Sequence, residues 1–390
     1  MIDKNQLLAL THTGENNDNY LNAVVPPVFL NSLHVYDTFE QYANIEKKED
    51  FYVYGRMGNP TTEILEKKLA DLEHGKKALV FSSGMAAATS AIVGVCKSGD
   101  HIICMRDVYG PVKHFMDGMA TTRLNFDVTY VTGTDLNEIE KAIRPNTKLM
   151  ILESPATFVF TVVDLPAIAN ICKKHNIVSY IDNTYCTPLF QNPLDFGIDI
   201  VMHTLSKYIG GHSDIIGGAL ISNDITLMDF IKSGVREWFG GILGPMESWL
   251  AIRGMRSLYA RLQQHQETSM KIASFLENHP KVESVFYTGL NSHPQADIIK
   301  KQMRGHTGLM SVLLKATPEQ AVQFINNLHL FGKGCSWGGF ESLALCPLYY
   351  SSEGDLARMQ CNNRGLIRIH CGLEGAENLL QDLQQALDSL

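Results

Sequence analysis

The chain has 390 residues, 45% hydrophobic and 19% charged, with a formal net charge of -8 at pH 7. This is the balance of an ordinary globular protein, long enough for a large core and more than one domain. No run of Lys and Arg stands out, which excludes nucleic acid and anionic membrane surfaces as main partners, and no apolar stretch is long enough to span a bilayer. Residues 1–10 lack the basic flank and long apolar run of a secretory leader. The cysteines, Cys96, Cys104, Cys172, Cys186, Cys335, Cys346, Cys361 and Cys371, form no C-x-x-C pair. Several sit in apolar runs as small buried hydrophobes, and a reducing, cytoplasmic setting is expected. The scattered histidines have no metal-ligand spacing, so no metal is expected.

Residues 1–58 read as an irregular arm, extended at Val25-Pro26-Pro27. From Thr61 the spacing of Ile64, Leu65, Leu69 and Leu72 predicts a helix ending at Gly75. Strands are then expected over 78–81, 101–105, 126–131, 149–152, 177–181, 198–202 and 218–222, with helices over 83–95, 112–119 and 165–175. Such alternation predicts an α/β protein with a mostly parallel sheet and helices on both faces. One long helix is expected over 247–278. Beyond it, strand-like 282–287, 308–314 and 366–370 surround helical 318–328, and an amphipathic helix over 376–389 closes the chain. The expected division is an N-terminal arm over 1–58, a large domain over 59–250 and a smaller C-terminal α/β domain over 251–390.

In parallel α/β sheets, ligands bind beyond the carboxyl ends of the strands. Lys207 follows one such strand in Thr204-Leu205-Ser206-Lys207-Tyr208-Ile209-Gly210-Gly211. A lysine at the end of a buried strand loses hydration, its pKa falls, and its neutral amine can form a Schiff base. The hydroxyls of Thr204 and Ser206 can hold a phosphate beside it. Taken alone, such a lysine is an ordinary loop residue. Asp182, at the end of another apolar strand, changes that reading. Lys and Asp at two strand ends are what pyridoxal 5'-phosphate (PLP) needs: an aldehyde partner and a counter-ion for the pyridine nitrogen.

Ser82-Ser83-Gly84-Met85 ends a strand and opens a helix, where unpaired N–H groups favour an anion; the same residues also suit a plain N-cap. Tyr109 follows the strand 101–105 and can stack on a planar ring and offer a hydroxyl to substrate. Tyr54-Gly55-Arg56 pairs a phenol with a guanidinium suited to phosphate. Arg368 lies mid-strand and needs an anion, either a substrate α-carboxylate or an internal carboxylate.

The set Tyr54-x-Arg56, Ser83-Gly84-Met85, Tyr109, Glu153-Ser154-Pro155, Asp182-Asn183-Thr184, Thr204-x-Ser206-Lys207-Tyr208, Ser336-x-Gly338-Gly339-x-Glu341-Ser342 and Ile367-Arg368 runs in order along nearly the whole chain. It resembles the Cys/Met-metabolism group of PLP enzymes, which holds cystathionine β-lyase, cystathionine γ-lyase, cystathionine γ-synthase and methionine γ-lyase. The resemblance implies PLP fold type I (aspartate-aminotransferase-like) and a homotetramer of tight dimers with shared active sites. It implies Lys207 as the cofactor-bearing and proton-shuttling lysine, Tyr109 stacked on the ring and Asp182 on its nitrogen. Ser83, Gly84, Met85, Thr204 and Ser206 would hold phosphate, with Tyr54 and Arg56 reaching in from the neighbouring subunit. Thr157 and Thr184 would complete the cofactor contacts. Tyr54, Tyr109, Ser336, Trp337 and Arg368 would meet a small amino-acid substrate, Arg368 clamping its carboxylate.

Four positions bear on which carbon–sulfur bond breaks. Trp337 stands where γ-specific relatives usually carry leucine and is similar to bacterial cystathionine β-lyase. Cys335 replaces the glutamate typical of cystathionine γ-lyases and γ-synthases. Pro111, after Tyr109-Gly110, is β-lyase-like. Glu153-Ser154-Pro155-Ala156-Thr157-Phe158 lacks the Asn-Pro common in the γ group, so that Thr157 would bond the ring hydroxyl less firmly. Against these, Asn59-Pro60-Thr61 is widespread in the γ group, and Gly110 differs from the acidic residue expected beside the β-lyase tyrosine. The expected activity is β-elimination on L-cystathionine or a related sulfur amino acid, giving pyruvate, ammonia and a thiol. The alternative is γ-elimination or γ-replacement on a homoserine-type or methionine-type substrate. A binding protein without turnover is a third reading, opposed by the intact Lys207, Asp182, Tyr109 and Arg368.

Overall fold

Continuous runs of Val, Ile, Leu and Met make strands buried on both faces. Seven of them build the main sheet of the computed structural model, which describes residues 4–45, 52–347 and 365–390. Cys361 lies outside the described residues. The strands are β1 (Lys77–Phe81), β2 (His101–Met105), β3 (Asp127–Val131), β4 (Thr147–Glu153), β5 (Val178–Asp182), β6 (Ile200–Thr204) and β7 (Gly218–Ser222). Their spatial order is β1-β7-β6-β5-β4-β2-β3. Neighbours from β6 through to β3 pair in parallel; β7 runs antiparallel to both β6 and β1. The Gly84–Val95 helix packs on β1, β6 and β7, and the Leu165–Lys174 helix on β5.

A second sheet follows: β8 (Val282–Phe286), β9 (Leu309–Leu314), β10 (Gly332–Lys333), β11 (Leu343–Leu345) and β12 (Gly365–His370), in the order β10-β11-β12-β9-β8. Only the short β10–β11 pair is parallel. The Pro318–Asn327 helix packs on β12 and starts at a capping box between Thr317 and Gln320. The Ala376–Asp388 helix buries Leu379, Leu383, Ala386 and Leu387 along one face. Each sheet has its own apolar cluster. The Leu258–Glu277 helix joins them, giving Leu258 and Leu262 to the first and Ile272, Ala273 and Leu276 to the second.

Three expectations change. The arm is not irregular throughout: Lys4–Thr11 is helical, anchored where the buried Gln6 side chain donates to Pro188 O at 2.9 Å and to Asn192 Oδ1 at 3.1 Å. The expected helix over 247–278 is two helices, Pro245–Arg256 and Leu258–Glu277, broken at Ser257. Gly254 lies three residues before the break. Its carbonyl accepts from Arg261 Nη2 at 2.8 Å, and a Cβ on Gly254 would collide with the backbone of Gly210. The helix thereby presses on the turn after Lys207. Finally, the helix expected over 112–119 is α-helical only over Gly110–Phe115 and widens to a π turn over Met116–Ala120, which buries both Met116 and Ala120. Among the described residues, no helix is long and apolar enough to cross a membrane, and no group of three or more His, Cys, Asp or Glu is placed to hold a metal ion.

Candidate active site

Adjacent strands β4, β5 and β6 each end a buried apolar run with one half-buried polar residue: Glu153, Asp182 and Thr204. The three ends lie side by side, and Glu153 pairs directly with Asp182 across the β4–β5 ladder. Asp182 Oδ1 accepts the Thr184 N–H at 2.9 Å, and Thr184 Oγ1 accepts the Thr204 N–H at 2.8 Å. Thr184 therefore ties the aspartate to the strand that carries the lysine. Burial raises the pKa of Asp182, while Thr184, His203 and Lys207 pull it back down.

Lys207 sits in a tight turn after β6. The Gly210 N–H bonds Leu205 O and the Gly211 N–H bonds Lys207 O, both at 2.8 Å. Arg261 Nη1 donates to Tyr208 O at 2.8 Å. Burial first, and then the Arg368 guanidinium, lower the Lys207 pKa to about 8. Its Nζ donates to Ser336 Oγ at 2.5 Å and lies 5.3 Å from the centre of the Trp337 ring. This amine is neutral for a useful fraction of the time near neutral pH, as Schiff-base chemistry requires.

Beside it is an anion cradle. Ser83 caps the Gly84–Val95 helix by accepting the Ala86 N–H at 3.0 Å. Gly84 and Met85 then occupy the first two helical positions, where amides have no acceptor in a preceding turn. A Cβ on Gly84 would run into Thr204 Oγ1, so glycine lets the helix start close against that hydroxyl. Ser206 Oγ accepts the Gly217 N–H at 3.1 Å, which leaves its own proton to donate.

The opposite wall comes from the second sheet. Ser336 has a left-handed φ of 91°, and Gly338 has φ of 86°. Gly338 cannot carry a side chain, because a Cβ would lie 2.7 Å from Tyr208 N. Its N–H donates to His370 Nε2 at 3.1 Å. Trp337 packs on Tyr208 with ring centres 5.5 Å apart. Arg368 is the only half-buried residue of β12; it donates to Ser336 O at 3.2 Å and lies 5.3 Å over the Phe158 ring. Tyr109 is 47% exposed, and its N–H donates to Glu153 Oε2 at 2.6 Å. Partial burial raises its hydroxyl pKa.

The structure thus brings together Ser83, Gly84, Met85, Tyr109, Thr157, Asp182, Thr184, Thr204, Ser206, Lys207, Ser336, Trp337 and Arg368 around one cleft at the strand ends. Tyr54 and Arg56 lie apart, on the arm. Arg56 stacks 5.1 Å over the Tyr54 ring, and Leu21, Val24, Val35 and Phe39 of the same arm are exposed. Sequence reasoning assigned no role to Glu153 or Phe158. Glu153 carried the same signal as Asp182, a carboxylate ending an apolar strand. Phe158 carried none, since its contact with Arg368 spans the two sheets. The set fits PLP: a lysine with a lowered pKa, a carboxylate for the ring nitrogen and a glycine-built phosphate cradle converge.

Residues 8–388 match the family described as Cys/Met metabolism PLP-dependent enzyme. The chain is 38% identical to the cystathionine gamma-lyase of Bacillus subtilis (strain 168), over 98% of each chain. It is 36% identical to the L-methionine gamma-lyase of Fusobacterium nucleatum subsp. polymorphum, over 95% of each. It is 37% identical to the cystathionine beta-lyase of Coxiella burnetii (strain RSA 493 / Nine Mile phase I), over 96% of each. Three reaction types thus stand at nearly equal distance.

Proposed function

The chain belongs to the family of Cys/Met metabolism PLP-dependent enzymes, and from that premise we propose that it breaks the Cβ–S bond of L-cystathionine or a related sulfur amino acid, releasing pyruvate, ammonia and a thiol. As a member it has fold type I, uses PLP, and is a carbon–sulfur lyase acting on a small amino acid.

The observation that carries β-elimination is the position of Trp337. β-Elimination needs one base at Cα, whereas γ-elimination also needs proton removal at Cβ. Lys207 Nζ lies between the Ser336 hydroxyl and the Trp337 indole, and on our reading the indole limits the amine to the base step at Cα. Position 335, two residues before the indole, carries a thiol where a carboxylate would offer a second polar anchor.

PLP, when bound, supplies the electron sink for the pair left at Cα. The protein supplies the rest. Lys207, with its lowered pKa, takes the Cα proton, which elimination does not return to that carbon. Asp182 would pair with the ring nitrogen of bound PLP, its charge supported by Thr184, His203 and Lys207 against the effect of burial. Arg368 offers its fork of donors to the substrate carboxylate, next to the Ser336 carbonyl that it orients. Tyr109, kept protonated by burial, stands ready to donate to the departing sulfur.

Methionine tests the reading, because its sulfur is on Cγ. A β-lyase leaves L-methionine intact; 2-oxobutyrate and methanethiol from methionine would defeat the proposal. γ-Elimination is the second reading, favoured by the names of the Bacillus and Fusobacterium relatives.

We further propose a homotetramer whose active sites are shared across a tight dimer, with the arm over 1–58 serving the neighbour's large domain (59–250) and 251–390 forming the small domain. The support is the exposed apolar arm and the Tyr54–Arg56 pair set apart from Lys207. A cytoplasmic setting suits an enzyme whose described cysteines are all free thiols.

A further inference from the structure

Glu153 has no part in the roles above, yet it ends β4 directly beside Asp182. In the main sheet, β4 and β6 flank β5. Asp182 ends β5. The anion cradle lies on the β6 side, because Thr204 ends β6, Ser206 follows it, and the Gly84 helix start lies against Thr204. On the PLP ring, the phosphate arm and the ring hydroxyl stand on opposite sides of the line from the nitrogen to the aldehyde carbon. A ring with its nitrogen at Asp182 and its phosphate on the β6 side turns its hydroxyl to the β4 side. Glu153 and Thr157 stand there.

Their hydrogen bonds are specific. Glu153 Oε2 accepts the Tyr109 N–H at 2.6 Å, and Glu153 Oε1 accepts from Thr157 Oγ1 at 2.6 Å, the arrangement that suits the ionised acid. Two half-buried carboxylates paired across adjacent strands each raise the cost of charging the other. Asp182 has compensation from Thr184, His203 and Lys207. Glu153 faces the Asp182 charge on β5 and the Asp107 charge in the loop after β2, and burial together with Asp182 lifts its pKa far above the carboxylate range. The other titratable groups around it are Cys104 on β2, Tyr109 and Tyr180 on β5; burial raises all three, so they stay neutral. With Oε2 engaged as an acceptor, the Glu153 proton belongs on Oε1.

We propose that Glu153 and Thr157 form a two-residue relay to the ring hydroxyl of bound PLP, in which protonated Glu153 donates to Thr157 and Thr157 donates to the ring oxygen. When Glu153 releases its proton to solvent, the bond reverses. Thr157 then donates to Glu153 and turns a lone pair to the ring. The ionised ring oxygen is stabilised in the first state and not in the second. Glu153 is a positioning residue in this scheme, acting through Thr157. The relay rests on PLP as cofactor and is independent of which carbon–sulfur bond breaks.

The test is a pH titration of the PLP-loaded protein by visible absorption and by infrared spectroscopy. Wild type should show a protonated-carboxyl band at neutral pH that vanishes on alkalinisation, together with a visible step at the same pH. Glu153→Gln should lack both and keep the neutral-pH visible spectrum throughout. Thr157→Val, which leaves the acid in place, should keep the infrared change and lose the matching visible step, and Thr157→Ser should retain it. Absence of the carboxyl band from wild type at neutral pH overturns the relay. So does a visible titration of Glu153→Gln or Thr157→Val that overlays wild type. Because a Glu153→Gln protein that fails to fold reports nothing, the Thr157→Val comparison alone suffices to decide.

Discussion

Lys207 Nζ donates to Ser336 Oγ at 2.5 Å, although 129 residues separate the two. Lys207 leaves the end of β6 in the main sheet; Ser336 lies between β10 and β11 of the second. The contact joins the two sheets at the reacting amine. Ser336 keeps a left-handed backbone there, a cost that a functional site sustains when its surroundings over-determine it. Arg368 on its carbonyl and Gly338 against the Lys207–Tyr208 backbone supply that determination.

Lys207→Ala removes the amine that binds the cofactor and moves the Cα proton. Turnover should fall by about 10⁴-fold or more, the size of a lost general base and covalent anchor together. Steady-state assay with the colour of the purified protein checks this; a yellow, borohydride-sensitive and active mutant would remove Lys207 from the mechanism.

Arg368→Ala should weaken substrate capture. Loss of a charge-assisted, forked bond to a carboxylate is worth about 2–3 kcal/mol, or about 100-fold in kcat/KM, carried mostly by KM. An unchanged kcat/KM would make Arg368 a structural residue that only holds Ser336.

Much of this site is legible in the sequence because burial on both faces forces continuous apolar runs, and the residue that ends such a run stands at the ligand edge. Asp182, Thr204 and Lys207 are found that way. What stays hidden depends on which strands are neighbours. That Glu153 lies against Asp182 follows from the β4–β5 pairing, which no local pattern encodes. The arm helix is held by Gln6 reaching Pro188 and Asn192, contacts 182 and 186 residues away. The close approach of Gly254 to Gly210, just before the break at Ser257, is likewise a tertiary contact.

The lowered Lys207 pKa sets a pH dependence. Its amine titrates near 8 in the fold and at 10.5 in the unfolded reference, so the charged form is disfavoured by folding. The folded chain binds fewer protons at this residue between those values, so its destabilising effect is full below about pH 8 and fades as pH rises towards 10.5. The stability deficit of the wild-type apoprotein relative to Lys207→Met should therefore shrink across that window. PLP capture by the apoprotein should accelerate as pH rises through about 8. Denaturant melts and stopped-flow absorbance measure the two; a flat difference or a falling capture rate would contradict the burial argument.

Shared active sites predict complementation. Lys207→Ala and Arg56→Ala should each be nearly inactive alone. Co-expressed, they should regain roughly a quarter of wild-type activity, because mixed dimers carry one site with both residues intact. Sedimentation should show a tetramer. No recovery in mixed dimers would place Arg56 in its own subunit's site or in none.

The most direct measurement is the keto acid formed from L-cystathionine by the PLP-loaded enzyme. The position of Trp337 over Lys207 predicts pyruvate, with ammonia and homocysteine, from cleavage at Cβ. 2-Oxobutyrate with cysteine would mean that Lys207 reaches the second carbon despite the indole, and that the enzyme is a γ-lyase.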